Sequence, residues 1–252
     1  TCRFAFEFNN QASFIKKDVS LVSGDEIIQW YKAGNVRLLA GCAPCQPFSK
    51  YNQGKDTQLD KKWPLLYAFA RLIKEVQPEL VTMENVPEVV RHKVYHDFID
   101  GLKSQGYFIW ADTIKCVDYG LPQQRKRHVL LASKLGEIKM IEPTHSVDNQ
   151  VTVQDAIKHL PPIKAGETCE TDRLHRSMAL SEINLKRIRA SKQGGTWRDW
   201  PESLRTECHR RTSGATYSAV YGRMSWDKPS PTMTTLCYGY GNGRFGHPEQ
   251  DR

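Results

Sequence analysis

Apolar positions in the first 133 residues alternate between short runs and helical stripes. "CRFAFEF" (2–8) and "VRLLAG" (36–41) are short apolar runs and predict strands, the second ending at Gly41. In "WPLLYAFARLIKEV" (63–76), Leu65/Leu66, Phe69, Leu72/Ile73 and Val76 share one helical face. Pro64 suits the first turn of that helix, and Pro78 stops it. "ELVTMEN" (79–85) predicts the next buried strand. "VYHDFIDGLKSQ" sets Val94, Phe98 and Leu102 four apart, a helix that Gly106 terminates. "YFIWADTIKCV" (107–117) and "RHVLLAS" (127–133) close the series as strands, and shorter helices are predicted over 26–32 and 153–160.

This alternation predicts an α/β fold with a doubly wound sheet and right-handed crossovers. Ligands in such sheets bind beyond the carboxyl ends of the strands. "CAPCQPFS" directly follows one predicted strand, and Glu84 and Asn85 end another, with one crossover helix between them in sequence. Cys45 and Glu84 are therefore expected on the same rim of the sheet.

Beyond about residue 145 the texture changes. A connector leads into "NLKRIRASKQGGTWRDWPESLRTECHRRTSG", which lacks clean periodicity and predicts a smaller, irregular region. The chain then runs out through many turn formers. The formal net charge is +8, and residues 173 to 211 hold ten Lys or Arg against four Asp or Glu. A basic surplus concentrated in this way suits a phosphate-facing surface, although solvated lysines are the common alternative. Trp197 and Trp200 are expected in the core of this region, and Gly194, Gly195 and Gly214 would let a backbone approach closely. No apolar run approaches the roughly 18 residues of a membrane span. Seven scattered cysteines do not make a disulfide scaffold at this length and point to a reducing interior.

Cys42 and Cys45 have C-x-x-C spacing, but Pro47 and Gly54 predict a loop after them rather than the helix of a redox pair. A zinc site needs a second ligand pair, and the other cysteines are solitary. Two structural cysteines, or one nucleophile with a bystander, remain. The companions of this loop are "MENVPEVV" (83–90), "YGLPQQRKRHVLLAS" (119–133) and "RMSWDKPSPTMTT" (223–235). With these four segments in this order, the chain resembles the cytosine-5 DNA methyltransferases of restriction-modification systems.

The resemblance implies a doubly wound mixed sheet of the S-adenosylmethionine-dependent methyltransferase type, with the family's first strand and its aromatic–Gly–x–Gly loop absent from this text. It divides the chain into a catalytic and cofactor-binding domain (1–145), a linker and target-recognition region (146–222), and a segment returning to the catalytic domain (223–252). It implies a covalent mechanism. A thiolate at position 45 adds to carbon 6 of cytosine and makes carbon 5 nucleophilic. Glu84 is the matching acid at ring nitrogen 3, with burial at the strand end expected to keep it protonated. Arg127 matches the arginine that holds the base. Arg125 is its partner, on one face of a strand by the i, i+2 rule. Taken alone, Glu84 is a solvated strand-end carboxylate and "RKR" a solvated basic run. Ser49 matches a phosphate-contacting hydroxyl, with a plain turn serine as the alternative.

The resemblance also implies S-adenosylmethionine as methyl donor and no metal. Glu7 matches the carboxylate that takes the ribose hydroxyls, Phe8 lies against the adenine, Asp25 accepts from the adenine amino group, and Pro44 lies beside the donor. An N-cap role for Asp25 is a rival reading. The implied partner is double-stranded DNA, with the target base rotated out of the stack. The expected setting is the cytoplasm, with a monomer on DNA and a cognate restriction endonuclease. Methylation of RNA, and a non-catalytic DNA-binding fragment with weak donor affinity, are the alternatives.

Overall fold

The computed structural model describes residues 2–44, 63–212, 214, 218 and 220–252. They form two compact units. The first comprises Thr1–Ile114 with Arg127–Ile141, and the second Lys115–Lys126 with Glu142–Arg252.

The first unit is built on a four-stranded mixed sheet of β1 (Leu38–Gly41), β2 (Leu80–Asn85), β3 (Phe108–Lys115) and β4 (Lys126–Ser133), in the order β1-β2-β4-β3. β1 and β2 are parallel, and β2 and β4 antiparallel. Its helices are α1 (Arg3–Asn10), α2 (Gly24–Ile28), α3 (Trp63–Val76) and α4 (Lys93–Ser104). α3 carries two apolar rows. Leu66, Phe69 and Ile73 join Val81 and Met83 of β2, Phe98 and Leu102 of α4 and Leu130 of β4 in the main core. Leu72 and Val76 pack instead on Val22 and Ile27. The rings of Phe69 and Phe98 stack with centroids 5.7 Å apart. α4 gives way to Gly106 at φ 82°, a left-handed turn that glycine adopts without a steric cost.

Two early expectations fail. Residues 3–10 are helical, not a strand. This segment pairs with no strand among the described residues, and a helix satisfies its backbone groups locally. Asp25 is not an N-cap. Ser23 caps α2, its hydroxyl accepting from the Glu26 amide at 3.2 Å, and Asp25 stands exposed in the first turn.

Arg37 and Glu79, just ahead of β1 and β2, tie the two strand entrances together. The Arg37 guanidinium donates to both Glu79 oxygens at 2.8 and 3.0 Å, and the Arg37 amide adds a bond at 2.8 Å. The guanidinium first, then the amide, hold the Glu79 carboxyl down to about 2 from an ordinary 4.5. A folded-state value below the unfolded one stabilises fully above the unfolded value, and the gain is lost as pH falls through the folded one. Glu79→Gln is expected to cost about 1–2 kcal/mol at pH 7, allowing for solvent screening. In urea titrations that difference from wild type should shrink below pH 4.5 and vanish near pH 2. A difference constant across this range would remove the ion pair from the account.

The second unit holds α5 (Val153–Ile157), α6 (Glu182–Ala190) and α7 (Glu207–Arg210), joined by short 3-10 turns and isolated bridges. Its core is aromatic. Ile188, Trp197, Trp200, Val220 and Tyr240 are buried together, as expected for the two tryptophans. Trp200 Nε1 donates to Ser191 Oγ at 2.8 Å, and that hydroxyl lies 3.0 Å from Tyr240 Oη. His209 stacks on Trp197 at 4.2 Å. Part of the basic surplus is consumed here. Arg187 lies over Trp200 and Tyr221 and donates to the Leu204 carbonyl. Gly194 is at φ 70°, and a Cβ there would sit 2.6 Å from Ser225 Oγ, so its close neighbour belongs to the protein itself.

Candidate active site

The site in the first unit follows from strand register. Gly41 pairs with Met83, so residue 42 leaves β1 in step with Glu84 of β2. Glu84 pairs with Val129 of β4, and the period of two sets Arg127 on that same face. Arg127 Nε lies 2.5 Å from Glu84 Oε1, and the Cys42 thiol donates to Oε2 at 3.1 Å. Both carboxylate oxygens are thereby engaged, one by a charge-assisted bond. Gly41 has a packing reason: a Cβ there would lie 2.5 Å from the Phe69 ring. The side chain can therefore only be hydrogen if Phe69 is to fill the core directly beneath the strand end.

The opposite face of β2 is covered. Asn85 is only 1% exposed, and its Nδ2 donates to the Ala43 carbonyl at 3.2 Å. Its Oδ1 accepts from the Val86 amide at 2.9 Å. Asn85 thus fastens the chain leaving β1 to the end of β2. The next described residue, Pro44, is exposed. Cys45 and Ser49 lie outside the described residues.

Glu84 departs from the burial expected of it. Its side chain is 41% exposed, whereas that of Arg127 is 18% exposed. The alternation of β2 turns Val81, Met83 and Asn85 inward and leaves Glu84 on the half-covered face. Its immediate neighbour is a guanidinium and not an apolar wall. Cys42 departs too: no mere bystander, its thiol is bonded to Glu84. Arg125 precedes β4, so the i, i+2 argument does not reach it. It belongs to the second unit, where its carbonyl accepts from the Cys116 amide at 2.8 Å.

In that unit the segment before Arg125 is clamped by residues more than a hundred positions away. Gln124 N donates to the Ser230 carbonyl at 2.8 Å and Ser230 N to the Pro122 carbonyl at 2.9 Å. Thr232 Oγ1 donates to the Gln124 carbonyl and Met233 N to Gln123 Oε1. Two of the sequence motifs, "QQR" and "PSPT", are therefore physical partners. Ser230 and Thr232 lie within the "RMSWDKPSPTMTT" segment singled out in the sequence, but no local pattern there names their partners. Arg223, ahead of "PSPT", is 6% exposed and points inward. It donates to the carbonyls of Ile188, Ser191, His247 and Gln250 and pairs with Asp251 at 2.5 Å.

The predicted donor residues do not converge. Glu7 lies on α1, where its carboxylate accepts from the Phe14 amide at 3.0 Å and from Arg3 at 3.1 Å. The Phe14 amide, then Arg3, hold its carboxyl below the usual range. Phe8 is exposed and stacks on Phe4. A cleft of about 770 Å³ does stand against β1, lined by Phe6, Phe14, Trp30, Val22 and Ile27 with Leu39 and Ala40 of the strand. Phe8, Asp25 and Pro44 are not among its lining residues. Its size lies within the range of small-molecule sites, and its aromatic lining suits a flat base. Glu7, one residue from Phe6 and bonded to the Phe14 amide, supplies an acceptor next to the lining. These residues fit the nucleoside part of S-adenosylmethionine. Among the described residues no group of His, Cys, Asp or Glu is placed to hold a metal ion, and no helix is long and apolar enough to cross a membrane.

Known proteins share this arrangement of chain. The Type II methylase M.HgiDII of Herpetosiphon aurantiacus is 50% identical over 255 residues, spanning 100% of this chain and 72% of the relative. The Type II methyltransferase M1.HphI of Haemophilus parahaemolyticus is 32% identical over 225 residues, covering 87% of this chain and 58% of its own length. A crystal structure described as that of a prophage-encoded DNA modification methyltransferase (E. coli) matches 96% of this chain and 77% of its own, with a TM-score of 0.64 at 20% identity. That likeness establishes the methyltransferase type of fold. The family model for C-5 cytosine-specific DNA methylases matches residues 1–252. The chain belongs to the C-5 cytosine-specific DNA methylases, the DNA cytosine-5 methyltransferases of the restriction-modification type.

Proposed function

We propose that this chain methylates carbon 5 of a cytosine rotated out of double-stranded DNA, by covalent addition of Cys45 to carbon 6. The observation that carries the reading is the Glu84 carboxylate, held by Arg127 and Cys42 at the joint end of β1 and β2. The chain is fastened at Ala43, two residues before Cys45.

The chemistry follows from the ring. The Cys45 thiolate forms a bond to carbon 6, and the electron pair of the 5,6 double bond moves into the ring. Glu84 takes up a proton from solvent as the base enters and shares it with ring nitrogen 3, which relieves the new negative charge. Arg127, already bonded to Glu84, orients that carboxyl and favours the anionic ring. Carbon 5 is then an enamine carbon. S-adenosylmethionine, when bound, supplies the electrophilic methyl group, and Phe6, Phe14, Trp30 and Glu7 would hold its nucleoside part. Loss of the carbon-5 proton and departure of the Cys45 sulfur restore the aromatic ring.

Arg125, in the segment clamped by Ser230 and Thr232, contacts the substrate in this reading, and Ser49 meets a phosphate. Asp25, on the helix whose Ile27 lines the cleft, and Pro44, beyond the exit of β1, take the donor roles that the resemblance gives them. The protein acts as a monomer on DNA in the cytoplasm, beside a cognate restriction endonuclease.

A duplex carrying 5-fluorocytosine at the target position tests the covalent step. Fluorine cannot leave as a proton does, so the sulfur–carbon bond should persist. The complete protein with S-adenosylmethionine is expected to give a denaturation-resistant adduct of one protein per duplex. A complete protein that methylates DNA but forms no adduct would end the covalent reading.

A further inference from the structure

We infer that Cys42 is a positioning residue for Glu84, a role distinct from that of the nucleophile three residues later. The inference rests on the reading of Glu84 as the group that serves ring nitrogen 3. Glu84 extends from a half-covered strand face, and one partner alone would leave its carboxylate free to turn about its last torsion. Arg127 fixes Oε1 from β4, and the Cys42 thiol fixes Oε2 from the exit of β1. The two partners come from strands on opposite sides of β2, so the carboxylate plane is set by the sheet itself.

The backbone determines this geometry. The parallel register carries Cys42 into step with Glu84, and the Asn85 to Ala43 bond holds the next residue down. A thiol suits the position. It is a weak donor with a long reach, so Oε2 gives up this bond at small cost when it takes up the proton it shares with ring nitrogen 3.

Three variants of the complete protein test the role: Cys42→Ala, Cys42→Ser and Glu84→Gln, singly and combined. Cys42→Ala is expected to lower kcat about three- to tenfold, the worth of one modest hydrogen bond. KM for DNA and the melting temperature should stay at their wild-type values, because the side chain is exposed. Cys42→Ser, which keeps a donor, should recover most of the loss. In the Glu84→Gln background Cys42→Ala should change nothing further, since the two act as one unit. A Cys42→Ala protein with wild-type kcat overturns the inference, and so does an equal loss in the Glu84→Gln background. Adduct formation with the fluorinated duplex reports on Cys45 separately. A wild type that forms no adduct would sink the covalent reading, whereas the coupling between residues 42 and 84 would be judged on kcat alone.

Discussion

Cys45→Ser is expected to lower the methylation rate by at least about 10³-fold while DNA binding stays within a few-fold of wild type. The reason lies in the nucleophile. A thiol near its unperturbed pKa of about 8.5 keeps a few per cent of thiolate at neutral pH, and sulfur is soft and intrinsically reactive. A serine hydroxyl needs an adjacent general base to do the same work. The partners of the Glu84 carboxylate are a guanidinium and a thiol, neither of which accepts a proton from an alcohol at neutral pH. Methyl incorporation at saturating donor, with gel-shift titration of the same variant, checks both halves. A serine variant that keeps a tenth or more of the wild-type rate would remove Cys45 from the chemistry.

Arg223→Ala is expected to destabilise the second unit by about 3–5 kcal/mol. The guanidinium is 6% exposed and serves four backbone carbonyls and Asp251. Truncation leaves those acceptors buried with no donor, which costs more than the net worth of the bonds themselves. Two of the carbonyls, at Ile188 and Ser191, belong to the end of α6 beside the aromatic core. Tryptophan fluorescence followed through a urea titration should therefore report the loss directly. Arg223→Lys should rescue little, because one ammonium cannot reach acceptors spread around a planar fork. A shift below about 1 kcal/mol for the alanine variant would show that the bonds are solvent-replaceable.

Much of the first unit could be read from spacing. The apolar face of 63–76, the buried alternation of 80–85 and the stripe of Val94, Phe98 and Leu102 each specify an element whose period matches its burial. What spacing does not carry is the identity of hydrogen-bonding partners. Phe4, Phe6 and Phe8 alternate as a strand would, yet residues 3–10 meet no neighbouring strand and coil instead. The thiol of Cys42 reaches Glu84 only through the register of two strands some forty residues apart, which no local pattern encodes. For the same reason Glu84 resembled a buried acid: the sequence identifies a strand end but not which face is covered. Arg187 counts toward the basic surplus of 173–211, yet its planar group lies against the rings of Trp200 and Tyr221. The family motifs singled out Glu84 and Arg127, and strand register supplies the geometry that joins them.

The interleaving of the two units has a practical corollary. The chain leaves the first unit at Ile114, lends twelve residues to the second, returns for Arg127–Ile141, and leaves again. No single cut can yield two self-sufficient pieces. Severing after residue 141 separates Pro122–Gln124 from their partners at 230–233, and severing after 114 deprives β2 of β4. During synthesis the fourth strand emerges well before the distant anchor of the turn that precedes it. Split-protein reconstitution would therefore have to begin from two fragments that are each unfinished, and recovery would depend on their annealing together.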